Sequence, residues 1–221
     1  MSAPTGTPHG GGLAGQLLVA APMRIEAALI SSASSLKGTS RGEGQVGRRA
    51  LVRKTGMGPR RSQAAVGELA GAGGSAMLVL GFCGGLDATS IPGEVIVATE
   101  VYAASDEGHA EQRVRCNLND QLVQRLTGRD LKVRTGDVVC VSRLALGERR
   151  AELHAGGAIA VDMESVWLAA GAGERPFGVV RVVLDSPEHE LMRVRAVAGA
   201  LRAALALRRV AGALHEWTPG V

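Results

Sequence analysis

Aromatic side chains are scarce: two Phe, two Trp and one Tyr in 221 residues, 2% of the chain. A core without them must be packed from Ala, Val, Leu and Ile, and each aromatic that does occur is worth placing. Cysteine is also sparse. Cys83, Cys116 and Cys140 show no C-x-x-C pairing and no metal-ligand spacing, which argues against a disulfide framework and a zinc site and reads as reduced, buried thiols in a cytoplasmic protein. No apolar run reaches bilayer length. The run from Leu17 to Met23 is followed by Arg24 and Glu26, whereas a span needs about 20 apolar residues. Residues 1–16 carry Pro, Gly and Thr without a basic lead, so nothing there reads as a secretory leader. No G-x-G-x-x-G follows the first apolar strand, which argues against a dinucleotide binder.

What is present describes an ordinary globular chain: 46% hydrophobic, 21% charged, with a formal net charge of +4. Arginine outnumbers lysine, but the charges are scattered among Glu and Asp, so no basic stripe suits a nucleic acid. Residues 1–15 read as a disordered lead-in and 16–221 as one domain. Short apolar runs at Leu17–Ala21, Ala50–Lys54, Ala76–Leu80, Val95–Val101, Val138–Val141, Ala158–Val161 and Gly178–Leu184 read as strands. Helical stretches at Ser62–Ala72, Asn117–Thr127, Glu148–His154, Glu164–Ala172 and Arg193–His215 lie between and after them. In the last of these, Val194, Val197, Leu201 and Leu205 recur at helical spacing, as a core-facing stripe would. Residues 31–47, rich in Ser, Gly and charge, read as a mobile loop or weak hairpin. Alternation of strands and helices predicts an α/β fold: a three-layer αβα sandwich around a mixed, largely parallel sheet.

In such sheets ligands bind at the strand ends, and three features fall there: Met23-Arg24-Ile25-Glu26 after the first strand, the glycine segment Gly81–Gly85, and Val161-Asp162-Met163-Glu164 paired with Arg181-Val182-Val183-Leu184-Asp185. Asp185 ends a nearly all-apolar run, where half-burial would raise its pKa and let it protonate a leaving group; a helix or turn cap is an equal reading of that segment alone. Asp162 and Glu164 flank Met163 where a strand becomes a helix. A carboxylate there accepts hydrogen bonds from vicinal hydroxyls, or serves as a first-turn acid. Gly81-Phe82-Cys83-Gly84-Gly85 brings backbone N–H groups close to a ligand, or makes a tight turn.

The order and spacing of these segments resemble the nucleoside phosphorylase and nucleosidase superfamily over about residues 17–210. The matching segments are Ala21-Pro22-Met23-Arg24-Ile25-Glu26, Thr55-Gly56-Met57-Gly58, Gly81 to Leu86, Ile91-Pro92-Gly93-Glu94-Val95, Val161-Asp162-Met163-Glu164-Ser165 and Arg181-Val182-Val183-Leu184-Asp185. The resemblance implies cleavage of the bond between a ribose and a purine. It makes Glu164 the acceptor of the ribose hydroxyls, with Asp162 beside it, Met163 the apolar floor under the sugar, and Asp185 the acid at the purine. Glu26 becomes the carboxylate that orients or deprotonates water, and Phe82, Cys83 and Gly84 lie beneath base and sugar. In a phosphorylase, Arg24 and Gly58 would hold phosphate instead; Glu26 argues for water, and the pair leaves both reactions open.

The chain departs from the family pattern at Val79 and Phe82, where bacterial hexameric phosphorylases carry an arginine and a serine, and at Leu184, where many nucleosidases have serine. Phe82 and Trp167 are the candidates for stacking on the base. The short region between Val141 and Ala160, and the continuation Gly85-Leu86-Asp87, resemble the hopanoid-associated branch and imply adenine release from adenosylhopane. Methylthioadenosine, S-adenosylhomocysteine or futalosine are the alternative substrates, and a non-catalytic nucleoside-binding module the alternative of another class. The resemblance implies no metal or organic cofactor, inorganic phosphate as the co-substrate of a phosphorylase, a homo-oligomer, and, for a lipid-linked nucleoside, peripheral membrane contact.

Overall fold

The computed structural model describes residues 16–35, 50–104, 112–188, 196–215 and 217–220. The lead-in expected over residues 1–15, most of the loop expected over 31–47, and the first residues of the last helix lie outside them.

In chain order the elements are β1 (Leu17–Ala21), α1 (Arg24–Ser35), β2 (Leu51–Lys54), α2 (Pro59–Gly71), β3 (Ala76–Gly85), β4 (Val95–Ala103), β5 (Arg113–Arg115), α3 (Asn119–Leu126), β6 (Val133–Cys140), α4 (Glu148–Ala155), β7 (Ala160–Asp162), α5 (Ser165–Leu168), a 3₁₀ turn (Ala169–Ala172), β8 (Phe177–Asp185) and α6 (Ala196–Leu214). β2, β1, β3 and β8 pair in parallel, as do β4, β6 and β7. β8 meets β4 antiparallel, and β7 returns antiparallel to the end of β3 through Gly84↔Val161 and Gly85↔Ala160. The mixed, largely parallel sheet expected from the sequence is present. Its central strands β3, β8, β4, β6 and β7 also close into a ring, with β2–β1 and the short β5 attached outside.

The strands are apolar on both faces because both faces are covered. Leu17, Val19 and Ala21 of β1 join one cluster with α1, α3 and α6, while Leu18 and Ala20 join another with α2 and α5. Period-two alternation thus sorts one apolar run into two cores. A third, smaller cluster around Leu86, Tyr102, Val139, Leu153 and Val161 packs α4 against the ring, with Met163 at its margin.

Three expectations need correcting. The glycine segment Gly81–Gly85 is the second half of β3, because β8 on one side and β7 on the other supply partners for its backbone. Helix α1 continues to Ser35, through the start of the expected loop. On α6, Val197, Leu201 and Leu205 are exposed, at 79%, 60% and 46%; Val194 lies outside the described residues. The helix instead buries Ala203, Ala206, Leu207, Val210, Ala211 and Leu214. Small residues let it lie close on the sheet, which favours the alanine-rich face over the bulkier one.

Candidate active site

Most groups of the site come from β3 and β8 and from the segments that follow β1 and β7, joined by Arg150 of α4 and Gly58 ahead of α2. Helix α1 begins just past β1, and its first turn carries Glu26, 1% exposed. Glu26 Oε2 accepts the Met23 N–H at 2.6 Å and Oε1 accepts the Phe82 N–H at 2.6 Å. A glycine at 81 makes the approach feasible: a Cβ there would lie 2.4 Å from Glu26 Oε1 and 2.9 Å from Arg181 Nη1. Burial pushes the Glu26 carboxyl above the usual range, while Arg181 and the two N–H donors pull it partly back.

Arg181, in the middle of β8, is fully buried and gathers the acids. Its Nη2 lies 2.6 Å from Asp162 Oδ2 and 3.4 Å from Glu164 Oε2. Nη1 donates to the Phe82 carbonyl at 3.4 Å, and Nε and Nη2 donate to Ser165 Oγ at 3.3 and 3.0 Å. Glu164 precedes α5, and its other oxygen accepts the Gly58 N–H at 3.1 Å from 106 residues away. It is the N-cap residue of α5: its carbonyl accepts the Leu168 N–H at 3.0 Å, while its side chain makes no cap bond and turns to Gly58 and Arg181. Burial raises the Glu164 carboxyl to about 7, with Arg181 and Gly58 opposing and Asp162 and Glu26 adding to the rise.

Asp162 has a different position from the one expected. Its Oδ1 accepts the N–H groups of Glu164 and Ser165 and the Cys140 thiol, at 3.1, 3.2 and 2.8 Å, while Oδ2 takes the Ser165 hydroxyl and Arg181. These partners outweigh burial and hold its carboxyl below the ordinary range. With its oxygens so occupied, Asp162 anchors Arg181 and the start of α5.

Asp185 closes β8. The β3–β8 register shifts between Cys83 and Gly84, so Leu184 is skipped and Asp185 faces Gly84. The extra residue re-aims the carboxylate. Asp185 Oδ2 receives Nη2 of Arg150 at 2.6 Å, with both side chains buried at 6% and 3% exposure. Arg150, on α4, was not singled out by its sequence context. It stands in a charged stretch, Glu148-Arg149-Arg150-Ala151-Glu152, which reads as a solvated helix face.

Of the remaining candidates, Phe82, Met163 and Gly84 border these groups, with Phe82 and Met163 half-buried. Cys83 is buried beneath them, and burial pushes its thiol well up. Trp167 is 3% exposed and packs with α2 and the sheet, so the core reading holds for it. Arg24 is exposed at the start of α1 and is not brought into the cluster, and the Gly58 N–H is engaged by Glu164.

The arrangement has two poles along one glycine strand. Glu26 and Arg181 meet at Gly81, with Glu164 joined to them through Arg181 Nη2, and Asp185 and Arg150 meet at Gly84. Three residue steps along the strand separate Gly81 from Gly84, about 10 Å. One pole can bind hydroxyls and hold a proton; the other offers an acceptor beside a donor.

Solved structures share this fold. A 5'-methylthioadenosine/S-adenosylhomocysteine nucleosidase from Campylobacter jejuni is similar with a TM-score of 0.71 at 15% identity, over 91% of this chain and 99% of that one. The corresponding nucleosidase from Helicobacter pylori, solved with butyl-thio-DADMe-Immucillin-A, and the futalosine hydrolase of H. pylori strain 26695 each give 0.68 at 17% identity, over 90% of this chain and 95% of theirs. No curated protein sequence matches the chain. The family model described as the Phosphorylase superfamily matches residues 19–211, and on that match the chain is an enzyme belonging to the Phosphorylase superfamily.

Proposed function

We propose that the protein hydrolyses the N-glycosidic bond of a purine nucleoside, with adenine as the departing base. The observation that carries this reading is Glu26: a buried carboxylate with raised proton affinity, positioned by two backbone N–H groups beside Arg181 and Glu164. A base of that kind can take a proton from water near neutral pH.

In this reading Glu164 accepts the ribose hydroxyls, and Met163 and Phe82 shield the sugar. As the bond to the base lengthens, positive charge develops on the ribose, and the carboxylates of this pole stabilise it. Water, deprotonated by Glu26, attacks the anomeric carbon, and Asp185 meets the purine at the far pole. The chemistry asks for acids and water and for no metal or organic cofactor. Water is favoured over phosphate because Glu26 and Glu164 would repel an entering dianion, Arg181 is already paired with Asp162, and Arg24 stays at the surface.

Two kinds of nucleoside fit this chemistry equally: adenosylhopane, with the 5′ side opening to an apolar environment, and the thio-nucleosides methylthioadenosine and S-adenosylhomocysteine. Solved structures of similar fold include nucleosidases of the second kind. The deciding experiment measures adenine release from each substrate, with and without phosphate. Release in phosphate-free buffer, lost by about 100-fold or more in Glu26→Gln, is the expected result. A strict phosphate requirement would overturn the hydrolytic reading.

A further inference from the structure

Arg150 is a buried guanidinium that the reading above does not use. Nε donates to the Ala145 carbonyl at 2.9 Å, Nη1 to the Gly85 carbonyl at 3.5 Å, and Nη2 to Asp185 at 2.6 Å. An arginine has five N–H donors, so two are left, one on each Nη. Asp185 Oδ1 accepts no hydrogen bond among the described residues. Arg150 Nη2 and Asp185 Oδ1 both lie beside Gly84, where a Cβ would be 3.3 and 3.4 Å from them and 3.1 Å from Val161 Cγ1.

We propose that Arg150 is a substrate-contacting residue of the base subsite, forming with Asp185 a fixed donor–acceptor pair that selects a 6-aminopurine and stabilises it as it departs. The inference rests on the nucleoside-cleaving reading and names what that site recognises. An adenine presents N7 as acceptor and its 6-amino group as donor on one edge, whereas a 6-oxopurine presents two acceptors. Asp185 accepts from the amine, and Arg150 donates to N7. A 6-oxopurine would set its O6 against the carboxylate, a like-with-like contact in a buried place.

The guanidinium also alters how the base leaves. When the bond from the anomeric carbon to N9 breaks, its electron pair passes to the purine, and the water oxygen bonds to that carbon while Glu26 takes the water proton. Arg150 keeps its proton and gives N7 a charge-assisted hydrogen bond. The released purine anion takes a proton from solvent, and Glu26 returns its own.

The test compares wild type, Arg150→Met, Arg150→Lys and Asp185→Asn on methylthioadenosine and on p-nitrophenyl β-D-ribofuranoside, whose leaving group needs no N7 donor. Calorimetry with adenine and 7-deazaadenine supplies a readout independent of turnover. The expected result is that wild type binds adenine at least about 10-fold tighter than 7-deazaadenine, one hydrogen bond's worth, and that Arg150→Met abolishes the preference. Its loss on the nucleoside should exceed its loss on the p-nitrophenyl riboside by about 30-fold or more, within the range of leaving-group catalysis. Arg150→Lys, which keeps the charge, should recover part of both, and it carries the test if the methionine variant fails to fold. Asp185→Asn should weaken adenine binding. Equal losses on both substrates, or a wild type indifferent to N7, would overturn the proposal. If wild type cleaves neither substrate yet shows the Arg150-dependent preference for adenine, the base subsite stands and the hydrolytic reading falls.

Discussion

Arg181 Nη2 is shared between two carboxylates, 2.6 Å from Asp162 Oδ2 and 3.4 Å from Glu164 Oε2, so one buried cation both holds the end of β7 and sets the charge of the pole at Gly81. Removing it leaves two buried acids without their counter-ion. Arg181→Met should therefore destabilise the fold by about 3–5 kcal/mol, read as a lower urea midpoint. Arg181→Lys keeps the charge but cannot reach both acids with a fork, and should fall between. An unchanged midpoint in Arg181→Met would contradict this account.

Glu164 links stability to pH. Its carboxyl is raised to about 7 from an ordinary 4.5, first by burial. A raised acid binds its proton more readily in the folded state, so its contribution is fully present below about pH 4.5 and is lost as pH rises through about 7. Glu26 is shifted in the same direction and acts in the same sense. In Glu164→Gln the fall in unfolding free energy between pH 5 and pH 8 should be smaller than in wild type, with the remainder due to Glu26. Equilibrium unfolding at the two pH values checks this, and an identical fall in both proteins would contradict it.

Gly81→Ala probes the approach of Glu26. The backbone at Gly81 has no conformation that excludes alanine, so the effect is steric: the new Cβ would sit 2.4 Å from Glu26 Oε1 and 2.7 Å from its Cδ. Glu26 must retreat from its place beside Arg181. Turnover should drop by about 10-fold or more while KM changes little, since a misplacement of about 1 Å weakens the chemical step. A cost of about 1–3 kcal/mol in stability accompanies it. Steady-state kinetics and denaturation measure both, and wild-type turnover would remove Glu26 from the proposed mechanism.

Much of this was legible in the residues because burial on both sides of a parallel sheet makes each strand a plain apolar run. The strand at Leu17–Ala21 coincides in bounds with β1, and Glu26 and Glu164, separated by well over a hundred residues, do meet at one pole. What escaped was set by tertiary context. The strand Arg113–Arg115 carries two charges in three residues and exists because β4 offers it an edge. The glycine segment was readable as a turn because glycine disfavours strands; partners on both sides override that preference. The burial of Arg150 depends on how closely α4 lies over Gly84 and Gly85, which no local pattern encodes. Asp162 looked like a ligand because its carboxylate stands beside Glu164, and only the convergence of Cys140, Ser165 and Arg181 reveals it as internal scaffolding.

The closure of β3 by β7 on one edge and β8 on the other has a consequence for how such a protein diversifies. The strand between the two poles is held along both margins, so their separation is established at folding and a ligand pays little to organise it. Arg150, the proposed base contact on α4, belongs to the crossover between β6 and β7 and not to the frame. Exchange of that one segment can alter which base is accepted while the nucleophile's surroundings are inherited intact. Recognition and chemistry can then be selected separately.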